Sequence, residues 1–277
     1  MNDGGLREGA RGSSVVAVPA AVRPWLEQLG ALAAGQQLEA YAVGGCVRDW
    51  LLGLEETVDL DVTVTGSGVT FAKNAARQMG ASLVSHEQFG TATLVVSVPA
   101  EKGSRRRRGG SEPNVVRIDI AGCRKETYSE PAAYPKVQPG ELKDDLFRRD
   151  FTINAMAMAL IPGQFGRLID HFGSLEDLRA GRLRILHERS FIDDPSRILR
   201  AVRFQHRFSC MLERKTRTAL QQAITDGGLG KLNRGRLRKE LERMADEPDP
   251  IACLTTLGHW LDGRVSAKSE TASGDAA

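Results

Sequence analysis

The chain has 277 residues, 41% hydrophobic and 26% charged, with 38 Lys and Arg against 35 Asp and Glu for a net charge of +3. That supports one or two domains with buried cores, and the mild basic excess permits nucleic acid without requiring it. Cys46, Cys123, Cys210 and Cys253 are scattered without C-x-x-C spacing or a histidine cluster, which argues against zinc and against a disulfide scaffold.

Residues 1–20 form a Gly- and charge-rich tail, expected to be disordered, without the apolar core of a signal peptide. No apolar run reaches membrane length, so a soluble cytoplasmic protein with no membrane partner is expected. Pro24 opens a helix through Leu26, Leu29 and Leu32. Leu38–Val43 then reads as a short buried strand, Gly44-Gly45 as a sharp turn, and Cys46–Leu52 as a helix stopped by Gly53. Val58–Val64 alternates and is β-branched, which predicts a strand. A helix over Thr70–Met79 closes at Gly80, and strands follow at Ala81–Val84, Thr91–Val98 and Val115–Ile120. Between the last two lies a flexible loop, 99–114, carrying Arg105, Arg106, Arg107 and Arg108. Tyr128–Gly140 is a Pro-rich loop, and Asp145–Met158 enters an apolar helix. The composition turns helical after about Ala180. We therefore divide the chain into a domain over 21–180, an all-α domain over 181–262, and a disordered tail over 263–277.

The chemistry concentrates in three places. A glycine pair at the mouth of a helix leaves free N–H groups and a positive dipole end, and Arg48 one turn in can reach the same anion. Asp59 and Asp61 point to one side of their strand, where two carboxylates repel unless a cation sits between them. A hard divalent ion with a triphosphate answers that need. Asp193–Phe204 places Ile198, Leu199 and Val202 on one arc of a helix, with Asp193, Arg197, Arg200, Arg203 and Arg207 opposite. Such a basic face is ordinarily solvated. A carboxylate and a guanidinium together also suit the Watson–Crick edges of C and A.

The strings GGCVRDWLLG, DLD and RRDFTINAMAM, in this order, resemble the class II tRNA nucleotidyltransferases and bacterial poly(A) polymerases, within the polymerase-β-like superfamily. The resemblance covers about Leu38 to Leu261. It implies an α+β nucleotidyltransferase head with a mixed or antiparallel sheet and flanking helices, followed by an all-α neck. It implies an enzyme that adds C or A from CTP or ATP to the 3′ end of tRNA, without a nucleic-acid template. Asp59, Asp61 and Asp119 would be the catalytic carboxylates, with Asp59 and Asp61 holding two Mg²⁺ ions. Asp119 lies where the family usually has Glu, with Arg124 five residues on. Gly44, Gly45, Arg48 and Arg149 would cradle the triphosphate, while Asp150 and Asn154 brace the site. Asp194 and Arg197 would read the base, on a helix that also brings Arg200 and Arg203. Asp193 replaces a usual Glu, and Ser174 a usual Gly. Phosphate contacts from Arg105–Arg108 and from Arg234, Arg236 and Arg238 would hold the RNA. Members of the family continue into further helical domains, and this sequence ends just after the neck. The same motifs serve CCA, CC-only and A-only addition and poly(A) synthesis. A weakly active RNA-binding relative and a small-substrate nucleotidyltransferase stay as alternatives.

Overall fold

The computed structural model describes residues 15–54, 59–97 and 115–265. Along the chain run α1 (Arg23–Gly35), β1 (Ala40–Val43), α2 (Gly45–Leu51), β2 (Asp59–Val64), α3 (Gly68–Met79), β3 (Ser82–His86), β4 (Thr91–Ser97) and β5 (Val115–Gly122). Next come β6 (Arg124–Thr127), β7 (Lys136–Pro139), α4 (Leu142–Phe147), β8 (Met156–Ala159), β9 (Leu168–Asp170), α5 (Ser174–Arg179) and β10 (Arg182–Leu183). The chain finishes with α6 (Ser190–Asp193), α7 (Ser196–Arg207), β11 (Met211–Leu212), α8 (Arg214–Thr225), α9 (Arg234–Ala245) and α10 (Pro250–Leu261).

Two compact units emerge, interleaved along the sequence. The first takes the chain up to Cys123 together with Met156–Asp170, and the second takes Arg124–Ala155 and everything from His171. This partition by compactness differs in kind from the consecutive division near Ala180 suggested by composition.

The first unit is built on a seven-stranded sheet in the order β3-β4-β5-β2-β1-β8-β9. The β2–β5 pair is parallel and the other neighbours are antiparallel, so the sheet is mixed. Leu60, Val62, Val64, Ile118, Ile120, Leu94 and Val96 alternate onto one buried side. There α3 packs across β2 to β5, held at its start by Ser67, which accepts from the Thr70 amide at 3.2 Å, and ended by Gly80 at φ 63°. α1 lies against β1 and α3.

The second unit is mainly helical. α7 packs on α9 and α10, with Phe204 in an edge-on contact to Phe151 at 5.9 Å between centroids. Two short ladders, β6–β7 and β10–β11, complete it.

Two expectations change. The stretch Asp145–Met158 is not one helix: α4 stops at Phe147, a single 3₁₀ turn covers Thr152–Asn154, and Met156–Ala159 is a fully buried strand between β1 and β9. A four-residue apolar run buried on both faces carries no alternation, so its pattern resembles a helix. The Pro-rich stretch after Tyr128 likewise contains β7, with Pro139 opposite Arg124. Proline at the end of an edge strand needs no N–H in the ladder. The Arg105–Arg108 run lies outside the described residues.

Candidate active-site residues

In the first unit the register gathers the acidic residues. Parallel pairing sets Asp59 beside Arg117 and Asp61 beside Asp119, and antiparallel pairing sets Thr93 beside Asp119. Asp59, Asp61, Arg117 and Asp119 are all exposed, on the side opposite the buried Leu60–Ile118 row. Antiparallel pairing of Ala42 with Val62 brings the end of β1, and the glycine turn after it, to the end of the sheet where β2 begins. Gly44 has φ 77° and ψ −130°, a backbone shape that L side chains rarely adopt, and its N–H donates to the Met156 carbonyl at 3.1 Å. Arg48 is buried, and its Nη2 lies 3.5 Å from where a Cβ on Gly45 would sit. Its guanidinium also donates to Asp49, with Nε at 2.9 Å from Oδ1. Arg48 is therefore placed against the glycine turn, as the sequence suggests.

The carboxylates do not close into a triad. Among the described residues no group of three His, Cys, Asp or Glu side chains is gathered as a metal cluster. Instead Asp119 accepts a 2.5 Å hydrogen bond from the Thr93 hydroxyl. Arg117 is the residue that sequence reasoning missed here. Its signal was the spacing of two from Asp119, which puts both on one strand face, but the parallel register to Asp59 is a tertiary fact.

The second unit holds the arginines. Asp145, fully buried, accepts from Arg148 Nε at 3.0 Å and Arg149 Nη2 at 3.2 Å. Burial works to raise its carboxyl, but the two guanidinium groups outweigh it and hold it below the usual range. Arg149 keeps a buried Nε with no hydrogen-bond partner among the described residues. Asp150 Oδ1 accepts from Asn154 at 2.9 Å and from the Phe151 amide at 2.8 Å, while Oδ2 accepts from Arg200 Nε at 2.7 Å. Burial raises Asp150, yet Arg200 and the Asn154 hydrogen bond bring it down to about 2.

Much of the basic arc of α7 is buried, with Arg207 at its end left exposed. Arg197 is buried and donates to Ser190 Oγ and to the Arg148 carbonyl, each at 2.7 Å. Arg203, also buried, donates to Glu240 at 2.9 Å and to Glu247 at 2.8 Å, and Arg207 holds Glu247 at 2.7 Å. Asp194 accepts from the Ser196 amide at 3.0 Å and from Arg236 Nη2. Arg236, expected as an RNA contact, thus turns inward, with Tyr134 over its guanidinium at 5.9 Å. Arg234 is exposed at the start of α9, and Arg238 is exposed and paired with Glu242 at 2.7 Å. Glu240, Glu247 and Ser190 went unnoticed because an amphipathic pattern shows which face is polar, not what covers it.

A family model described as the poly A polymerase head domain matches residues 40–184. The chain is 40% identical over 229 residues to an A-adding tRNA nucleotidyltransferase of Geobacter sulfurreducens, covering 83% of this chain and 24% of that protein. It is 35% identical over 243 residues to a CC-adding tRNA nucleotidyltransferase of Deinococcus radiodurans, covering 88% of this chain and 59% of the relative. Among solved structures, an apo form of a CCA-adding enzyme superposes with a TM-score of 0.76 at 40% identity, over 88% of this chain and 53% of the other. The chain thus spans about a quarter to three fifths of these relatives' length. With a head-domain model matching more than half of the chain, the chain belongs to the poly A polymerase head-domain family, alongside the tRNA nucleotidyltransferases.

Proposed function

We propose that this protein is a template-independent RNA nucleotidyltransferase that adds C or A from CTP or ATP to the 3′ end of tRNA. The observation that carries the reading is the exposed carboxylate face of β2 and β5, with Asp61 in register beside Asp119 and the Gly44-Gly45 turn at the same end of the sheet. Carboxylate oxygens on one face are the donor type that magnesium takes, so Asp59 and Asp61 would hold it. Bound there, the metal would neutralise triphosphate charge and make the RNA 3′-hydroxyl a better nucleophile. Arg48 and the amides at the start of α2 would bind phosphate oxygens. Arg149 of the second unit is proposed separately for phosphate, since a buried N–H with no partner among the described residues is rare and an anionic ligand oxygen would satisfy it.

For base selection we propose Asp194 and Arg197, with Arg200 and Arg203 as braces. Arg200 fixes Asp150, and Arg203 ties α7 to Glu240 and Glu247. The relatives and solved structures carry the names A-adding, CC-adding and CCA-adding, so the three activities are separated by assay. The deciding assay uses the purified protein with magnesium, tRNAs ending before C74, after C, or after CC, and each labelled NTP in turn. A-adding activity gives label from ATP on the CC-ended tRNA alone, and CC-adding gives label from CTP on the two shorter ones. Incorporation on none of them overturns the proposal, and long A tails on any RNA assign poly(A) synthesis instead.

A further inference from the structure

The second unit contains a cleft of about 510 Å³ lined in part by Phe147, a residue none of the preceding roles uses. Its floor is Phe147, the last residue of α4, which remains 45% exposed despite its size. The ring is held rather than loose: His187 lies 5.4 Å away between centroids and Phe172 5.9 Å away, both tilted by just under 40°. The wall beyond carries Asp193, whose carboxylate accepts from Arg189 Nη2 at 3.1 Å and lies 4.0 Å from His187 Nδ1. Lys125 and Arg189 stand exposed at the margin. Asp193 and Asp194 are neighbours, but Asp194 has an extended backbone, φ −136° and ψ 90°, and its carboxylate is turned to Ser196 and Arg236. The two acids serve different surroundings, and the cleft adjoins the Asp194 and Arg197 set through Arg148, which lines it and whose carbonyl accepts from Arg197.

A supported, exposed aromatic ring in a cleft whose lining also carries Glu126, Asp144, Glu188 and Asp193 matches the chemistry of one unpaired base. The ring offers a stacking surface, and a carboxylate accepts from a base amine. The volume is within the range of small-ligand sites. From this geometry we infer that the cleft seats an unpaired base of the RNA 3′ end, with Phe147 as its stacking platform. The incoming nucleotide is left to the Asp194 side. His187 supports the arrangement: burial, and then Arg197, depress its ring below the usual histidine value, so it lines the cleft as a neutral aromatic near pH 7. The inference rests on the proposed RNA substrate and adds a positioning residue to it.

The test uses full-length protein and tRNA carrying 2-aminopurine at one of its last unpaired positions, without NTP. Stacking on Phe147 quenches the probe on binding to wild type, whereas the same probe in the acceptor stem changes little. Phe147→Leu keeps an apolar side chain but has no ring, so the quench disappears and the KM for tRNA rises about tenfold, with the KM for nucleotide unchanged. Phe147→Trp restores both, and its indole emission falls on titration with unlabelled tRNA but not with ATP or CTP. Equal quenching in wild type and Phe147→Leu overturns the inference. So does indole quenching by free nucleotide alone, which would assign the cleft to the incoming base. The Trp variant keeps the question open to measurement if the Leu variant fails to fold. Nucleotide incorporation by wild type is read separately: its absence removes the proposed activity, while its presence with no change in Phe147→Leu removes this inference alone.

Discussion

Asp59 and Asp61 bring two negative charges to one exposed strand face, an arrangement that folding does not favour and that ligand binding does. We expect Asp59→Ala or Asp61→Ala to abolish incorporation of labelled nucleotide, with an unchanged circular-dichroism spectrum and a Tm in metal-free buffer equal to or slightly above wild type. Activity within about tenfold of wild type in either variant removes the metal assignment, because loss of a metal-holding carboxylate should cost far more than that. Arg149 makes a separable claim. If its orphan Nε meets a phosphate oxygen, Arg149→Lys forfeits a charge-assisted hydrogen bond of about 1.5–3 kcal/mol, and the KM for nucleotide rises about ten- to hundredfold. An unchanged KM would leave the buried Nε without the proposed ligand. Asp150 makes a claim about pH. Its folded pKa of about 2 lies below the unfolded value of about 3.9, so the carboxylate stabilises the fold at pH above about 5. That stability, on the order of 2 kcal/mol, is lost as pH falls from about 4 through 2. Urea midpoints for wild type and Asp150→Asn at pH 7 and pH 3 measure it, and the variant should lose less on acidification. Parallel losses in the two proteins would show that Asp150 is not the titrating group.

At the scale of elements, α1 depends on one missing side chain. A Cβ at Gly30 would lie 1.8 Å from the Leu160 carbonyl oxygen and 2.5 Å from its carbon, so α1 can seat only without it. Gly30→Ala should destabilise the protein by about 3 kcal/mol, since backbone cannot move aside as a flexible side chain can. Gly35→Ala, with nothing within 4 Å of its Cβ, should be neutral or stabilise by up to ~1 kcal/mol. Thermal melts of the pair check this, and equal Tm values would refute the packing argument. Elements of this kind were legible where local pattern and tertiary role agree. Alternation gave β2, and a terminal glycine marked the end of α3. The strand β8 was not legible, because Met156–Ala159 is buried on every side and period is then silent. The functional side chains divide in the same way. Gly44, Gly45, Arg48, Asp59 and Asp61 sit in one continuous stretch whose local geometry the sequence dictates. The inward turn of Arg203 and Arg236, and the exposure of Phe147, depend on partners distant in sequence: Glu240 and Glu247, Asp194, and Phe172 with His187.

At the scale of the whole molecule the proposed function requires a grip on RNA. Of the arginines expected to contact RNA from α9, Arg236 is engaged internally, while Arg234 and Arg238 remain exposed at its start. The relatives are longer, so whatever they add to the grip is not represented in these 277 residues. Contacts of this kind bind by phosphate neutralisation, which releases counterions and gives an affinity that falls steeply with salt and barely depends on sequence. We therefore expect tRNA binding with a distinct slope of log K against log[salt], about 0.9 per phosphate neutralised on a duplex and less on a single strand. Replacing Arg105–Arg108 with serines should flatten that slope and weaken binding, with the KM for nucleotide unchanged. The double variant Arg234→Ala/Arg238→Ala should act in the same direction and add to it, since separate phosphate contacts contribute independently. Affinity measured at several salt concentrations for the three proteins decides which cations touch RNA. Superimposable plots for wild type and the serine variant would show that the Arg105–Arg108 run makes no phosphate contact, and would leave the α9 arginines to account for the whole slope.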